Sequence, residues 1–232
     1  MSNEIITKVE EYVKNIMSDE VAHDIKHVNR VLNRALIISK EENYKDLELV
    51  KISALMHDIG LTKAEKRNMH GEVGAEMARE FLKDLLEKEK INEICNAIKY
   101  HNKNREGEGK LLDIIRDADM MDLFGAVGIM RAFTSKSSKP EYDVNNIKGE
   151  TWNMKAVDFD KRFDTGIGIG DYIVDQINFQ ISCYDNLSTE SGKRLAKPLV
   201  DYMIGYIEEL EIEVGSFVRK YIPKENRYIE KR

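Results

Sequence analysis

Ile52-Ser53-Ala54-Leu55-Met56-His57-Asp58-Ile59-Gly60 is the stretch on which the fold turns: an apolar helical run ends in an adjacent imidazole and carboxylate. Burying either group without a partner is expensive. A divalent cation removes that cost, because it takes one nitrogen and one oxygen ligand from neighbouring residues. Taken alone, the pair also suits a capped helix end. What it means depends on where the other histidines and aspartates fall.

The chain has five histidines, His23, His27, His57, His70 and His101, all in its first half. His23 and His27 are four apart, so a helix sets them on one face. Asp119 follows in Leu111-Leu112-Asp113-Ile114-Ile115-Arg116-Asp117-Ala118-Asp119, again an apolar run. In chain order this is His27, then His57-Asp58, then Asp119. Imidazoles and carboxylates projecting inward from separate helices are how a helical bundle holds a metal.

That order, His…His-Asp…Asp, resembles the HD-domain superfamily of metal-dependent phosphohydrolases. Longer segments carry the likeness to its small stand-alone bacterial and archaeal members. They are His23-Asp24-Ile25-Lys26-His27-Val28-Asn29-Arg30-Val31, Ala54 to Gly60, and His70-Gly71-Glu72-Val73-Gly74-Ala75-Glu76-Met77-Ala78. Asp117-Ala118-Asp119-Met120-Met121-Asp122-Leu123-Phe124-Gly125-Ala126-Val127-Gly128-Ile129 matches most closely, and Thr189-Glu190-Ser191-Gly192-Lys193-Arg194-Leu195-Ala196 resembles the start of their C-terminal helix. The likeness covers most of 20–133 and, more weakly, 185–213. It implies an all-α HD-domain bundle with His27, His57, Asp58 and Asp119 as metal ligands. His70 and His101 match positions that hold a second metal in binuclear relatives and face the substrate phosphate in mononuclear ones. Members of the family often carry a lysine near 172–187; this chain has no Lys or Arg between Arg162 and Lys193.

Composition narrows the remaining classes. At 232 residues the chain is long enough for one sizeable core. Its net charge of −6 argues against a general binder of nucleic acid or anionic membrane, which needs clustered Lys and Arg. Cys95 and Cys183 form no disulfide framework and no metal-thiolate spacing. No stretch approaches the roughly 20 apolar residues of a membrane span. Met1-Ser2-Asn3-Glu4 does not open a signal peptide, so a cytoplasmic protein is expected.

Helical periodicity predicts helices over about 5–16, 24–36, 46–56, 70–88, 90–101 and 110–133, with Asp19 or Asp24 and Asp46 as caps. Residues 134–170, rich in Ser, Asn and Gly, predict a long irregular loop. Its Trp152, Phe159 and Phe163 either cover a bound base or anchor the segment. Two C-terminal helices, about 171–187 and 189–213, follow, and residues 171–222 are expected to complete one domain around a 20–133 metal-binding core.

The expected activity is hydrolysis of a phosphoester or phosphoanhydride, most readily that of a nucleotide, with Asp58, His70 and His101 in catalytic roles. Mixed nitrogen and oxygen ligands favour Mn²⁺, Fe²⁺, Co²⁺, Ni²⁺ or Zn²⁺ over Mg²⁺. Arg30, Lys63 and Arg67 are placed to meet phosphate, Lys66 fits a solvated face equally well, and His23, one turn before His27, is expected on the substrate side or orienting a ligand, with a packed structural role the alternative. Asp122 is expected to hold a ligand or water, or to pair with Arg131. Two other classes use the same residues: a diiron oxygenase on a six-ligand scaffold, and a nucleotide-binding module without turnover. The number of copies in the assembly is not encoded in these patterns.

Overall fold

The structure, a computed structural model, describes residues 2–17, 24–103 and 106–221. Among these it is all-α, with ten α-helices and no strand. The chain divides into two compact units, Met1–Leu123 with Asn186–Ala196, and Phe124–Asp185 with Lys197–Arg232.

In the first unit, helix α1 spans Ser2–Ile16, α2 Ile25–Glu41, α3 Leu47–Met56, α4 His70–Leu82, α5 Lys88–Tyr100 and α6 Lys110–Met120. Asp24 and Asp46 cap α2 and α3, accepting from the His27 and Leu49 amides. α3 is apolar all round because it is covered all round: α1, α2, α5 and α6 pack against it, and Leu49, Val50, Ile52, Ala54, Leu55 and Met56 are buried. The polar His57-Asp58 pair is thus delivered from the most enclosed helix of the unit.

The expected helix over 110–133 is two helices. α6 stops at Met120, a 3-10 turn covers Met121–Leu123, and α7 runs Gly125–Ser135. Gly125 adopts φ +69°, which a residue with a Cβ adopts at a cost, and it opens the second helix. The 3-10 turn carries Asp122, three residues after Asp119.

Asn186–Ala196 belongs to the first unit through Asp117. The Asp117 carboxylate is fully buried and accepts from the Ser188 amide at 2.8 Å, the Thr189 amide at 2.7 Å and the Thr189 hydroxyl at 2.6 Å. Thr189 in turn caps helix α10, Glu190–Tyr221, by accepting from the Gly192 amide at 2.9 Å. Glu42 adds a second tie, accepting from the Ser191 amide and hydroxyl.

Of the segment 134–170, expected as a long irregular loop, residues 136–155 and 165–170 are turns and bends, and the correction is a helix between them. Residues Ala156–Asp164 form helix α8, which packs on α9, Ile173–Ser182. Phe159 is buried and meets Phe179 edge-on at 5.3 Å. Phe163 meets the same ring at 5.7 Å, and the Lys148 ammonium lies 5.1 Å from the Trp152 ring centre. Asp175, fully buried on α9, accepts from the Thr151 amide and hydroxyl and the Tyr172 amide. A small-residue composition reads as loop, but long-range packing onto α9 orders this one. α7 also meets α9, where Gln180 donates to the Gly128 carbonyl at 3.1 Å.

Candidate metal centre

His27 on α2, His57 and Asp58 at the end of α3, and Asp119 on α6 converge, as do His70 at the start of α4 and His101 at the end of α5. His27, His57, Asp58, His70 and His101 are buried, whereas the Asp119 side chain is 29% exposed. Asp119 therefore marks the side from which solvent reaches the cluster.

Asp58 stands between two imidazole pairs. Its Oδ2 lies 3.4 Å from the Nε2 atoms of both His27 and His57. Its Oδ1 lies 3.2 Å from His70 Nε2 and 3.5 Å from His101 Nε2. Within the pairs, the Nε2 atoms of His27 and His57 are 3.1 Å apart, as are those of His70 and His101. Asp119 Oδ1 closes the first group, 3.3 Å from His27 Nε2 and 3.8 Å from His57 Nε2.

The outer ring nitrogens fix which atoms face inward. His57 Nδ1 donates to the Ala54 carbonyl at 2.8 Å, His70 Nδ1 to the Arg67 carbonyl at 2.5 Å and His101 Nδ1 to the Ile98 carbonyl at 2.7 Å. A carbonyl only accepts, so each Nδ1 carries a proton, and Nε2, which faces inward, is the atom left either to take a second proton or to offer its lone pair to a cation. His27 Nδ1 meets Asp122 Oδ2 at 2.8 Å with the same result. Facing lone pairs 3.1 Å apart repel unless a cation joins them. Ligands about 2.1 Å from one metal, at right angles, are about 3 Å apart. The donor set therefore fits divalent ions: His27, His57 and Asp119 form one group of close donor atoms, and His57, Asp58 and His101 another.

Electrostatics point the same way. Burial pulls the His27 imidazole down, but the carboxylates of Asp119, Asp122 and Asp58 more than reverse it and raise its pKa to about 11. His57 is likewise raised, with burial opposed by Asp58 and Asp119. Burial pushes the Asp119 carboxyl up, yet His27 and His57 hold it well below its usual range. Such a cluster holds positive charge, as protons or as metal, and metal entry displaces the protons.

Gly60 makes the approach of the α3 end to α4 possible. A Cβ there would lie 2.0 Å from the His70 carbonyl oxygen and 2.5 Å from the Gly74 amide nitrogen. Only a glycine lets the segment after Asp58 lie this close to the helix that carries His70.

The structure brings together all six residues expected from the sequence to surround metal. It treats the expected phosphate contacts differently. Lys63 and Arg67 are exposed, and Lys63 lines a groove with Tyr12, Glu76, Met77, Glu80 and Phe81. Arg30 binds Asp122 through Nε at 2.7 Å and Nη2 at 2.8 Å. His23 lies outside the described residues. Two functional neighbours escaped sequence reading. Arg34 donates to Asp122 at 2.6 Å, and Asp117 is the clamp on the C-terminal helix start. Arg34 could have been found as the next residue on the Arg30 face, one turn on. Asp117 could not, because its donors lie over 70 residues away.

Comparison with known proteins bears on the fold that carries this cluster. Residues 24–127 match the family model of the HD domain. The YpgQ protein of Bacillus subtilis, itself described as uncharacterized, is 23% identical over 225 residues, covering 89% of this chain and 92% of that one. A crystal structure of YpgQ in complex with ADP superposes with a TM-score of 0.62 at 20% identity, covering 91% of this chain and 96% of that chain. An HD-superfamily hydrolase from Bacillus thuringiensis superposes with a TM-score of 0.66 at 22% identity, covering 93% and 100%. At these identities the superpositions speak for the fold. The sequence match, which runs from the start of α2 through α6 to the opening of α7, shows that residues 24–127 are an HD domain, and the clustered His27, His57-Asp58 and Asp119 all lie within it.

Proposed function

We propose that the protein is a metal-dependent phosphohydrolase that cleaves a phosphoester or phosphoanhydride of a nucleotide. The observation that carries this is the position of Asp58, with one carboxylate oxygen toward His27 and His57 and the other toward His70 and His101. A bound divalent ion supplies Lewis acidity toward a phosphoryl oxygen and lowers the pKa of water. His27, His57, Asp58 and Asp119 would hold it, and His70 and His101 with the far oxygen of Asp58 would hold a second.

The protein's own groups do the rest. Asp58 accepts a hydrogen bond from the attacking water and orients its lone pair toward phosphorus. The half-open Asp119 edge admits the phosphate, while the buried histidines exclude bulk water from the opposite side. Arg67, exposed on the short segment between Asp58 and His70, would supply positive charge for the departing phosphate. The ADP held by the structurally similar YpgQ supports a nucleotide as the ligand class.

The test is release of phosphate or pyrophosphate from a nucleoside mono-, di- and triphosphate panel, with Mn²⁺ or Co²⁺ added to chelator-stripped protein. Turnover with one of these is expected, and none with any metal would refute the activity. The six gathered ligands also suit a diiron centre. Iron at two per chain, with O₂ consumption and no phosphate release, would establish that chemistry instead.

A further inference from the structure

His27 differs from the other three cluster histidines in how its outward nitrogen is held. His57, His70 and His101 each donate Nδ1 to the carbonyl three residues earlier. For His27 that residue is Asp24, the helix cap, whose carbonyl accepts from the Val28 amide and whose carboxylate accepts from the His27 amide. His27 Nδ1 reaches instead across 95 residues to Asp122, which is fully buried in the turn after α6.

Asp122 is filled by its neighbours. Oδ1 accepts from Arg30 Nε at 2.7 Å and Arg34 Nη1 at 2.6 Å. Oδ2 accepts from Arg30 Nη2 at 2.8 Å and lies 2.8 Å from His27 Nδ1. A carboxylate offers about four acceptor sites, so these four bonds leave Asp122 no lone pair for a metal. Asp119, three residues earlier, points an oxygen into the cluster.

We propose that Asp122 is a positioning residue for the metal centre. With Arg30 and Arg34 as its counter-ions, it fixes the His27 ring with Nδ1–H outward and the Nε2 lone pair inward. This rests on the metal reading above. It also assigns Arg30, the residue expected from sequence to meet phosphate, to the back of His27. Two guanidiniums occupy the other acceptor sites of the carboxylate, so it accepts the Nδ1 proton's hydrogen bond without coordinating. Outer partners of metal-bound histidines carry roughly 10–100-fold of metal affinity.

Asp122→Asn keeps the shape but replaces one acceptor oxygen by a donor that faces Arg30 or His27. Calorimetric titration of the full chain with Mn²⁺ should show a dissociation constant raised about 10–100-fold. Val31→Ala, a buried deletion on the same helix, should lower thermal stability and leave the constant within about threefold, which separates positioning from general loosening. Should Asp122→Asn not fold, Arg34→Gln and Arg30→Gln remove the counter-ions singly, and each should raise the constant in the same direction. Wild-type Mn²⁺ affinity in the Asp122 and both arginine variants, with binding abolished in His57→Ala, would overturn the positioning role and leave the metal centre standing. If the unaltered chain takes up no divalent ion, the metal reading fails first and the positioning role with it.

Discussion

Asp117 and Asp119 sit two residues apart on α6, yet the structure gives them opposite duties, and substitution should separate them. Asp117→Ala strips the acceptor from three donors, the Ser188 amide at 2.8 Å, the Thr189 amide at 2.7 Å and the Thr189 hydroxyl at 2.6 Å. Hydrogen bonds to a charged acceptor contribute roughly 1.5–3 kcal/mol each. Against this stands the cost of keeping a carboxylate buried, which pushes the Asp117 pKa up despite those donors. The net expectation is a loss of about 4 kcal/mol, for which the usual conversion in a chain of this size gives a melting temperature lower by roughly 8–15 °C. Asp117→Asn keeps one acceptor oxygen and should lose about half as much. Mn²⁺ affinity measured well below the transition should stay near wild type in both. Asp119→Ala should do the reverse. In chelator its stability should stay within about 1 kcal/mol of wild type, while metal affinity falls by at least ~100-fold. Thermal unfolding in chelator, paired with metal titration, reads both axes. A melting shift under ~3 °C for Asp117→Ala, or retained metal affinity for Asp119→Ala, would refute this division of labour.

Other outcomes follow from the same geometry. Asp58→Ala should lower kcat/KM for nucleotide hydrolysis by more than tenfold, over ~1.4 kcal/mol of transition-state stabilisation, with the far-ultraviolet circular dichroism of the wild type; a smaller loss would remove Asp58 from the mechanism. After chelation, Mn²⁺, Co²⁺ or Ni²⁺ should restore turnover better than Mg²⁺, because the donors are rich in imidazole; strict Mg²⁺ preference or chelator-insensitive turnover would contradict this. Gly60→Ala should destabilise the fold by about 1–3 kcal/mol through overpacking and weaken metal binding, since its Cβ would press on the His70 carbonyl and the Gly74 amide; unaltered melting and affinity would show that the close approach is dispensable. Phe159→Ala should cost about 3–5 kcal/mol in denaturant unfolding, as expected for a buried ring packed on Phe179, and a near-neutral effect would argue that α8 is not anchored there.

The sequence alone determined what could be written as local rules. Asp24 and Asp46 precede apolar helical runs and cap them, because capping needs only a short polar side chain one position before a helix. The ligand types were legible at His27, His57-Asp58 and Asp119 because imidazole beside carboxylate is costly to bury without a cation. Tertiary structure alone decided the matters that depend on distant partners. Gly125 could serve close helix packing or separate two helices, and its φ of +69° marks the start of a second helix where the sequence pattern had run on as one; that Asp122, on the turn before it, meets His27 is a long-range contact. Residues 134–170 have the composition of a loop and are largely one, but the helix Ala156–Asp164 within them rests on Phe159 meeting Phe179, a contact absent from any local pattern. Arg30 carries a charge that suits phosphate on sequence grounds. It meets Asp122 instead because a buried carboxylate must be neutralised by whichever cations the packed helices bring within reach, and spacing along one chain does not say which those are.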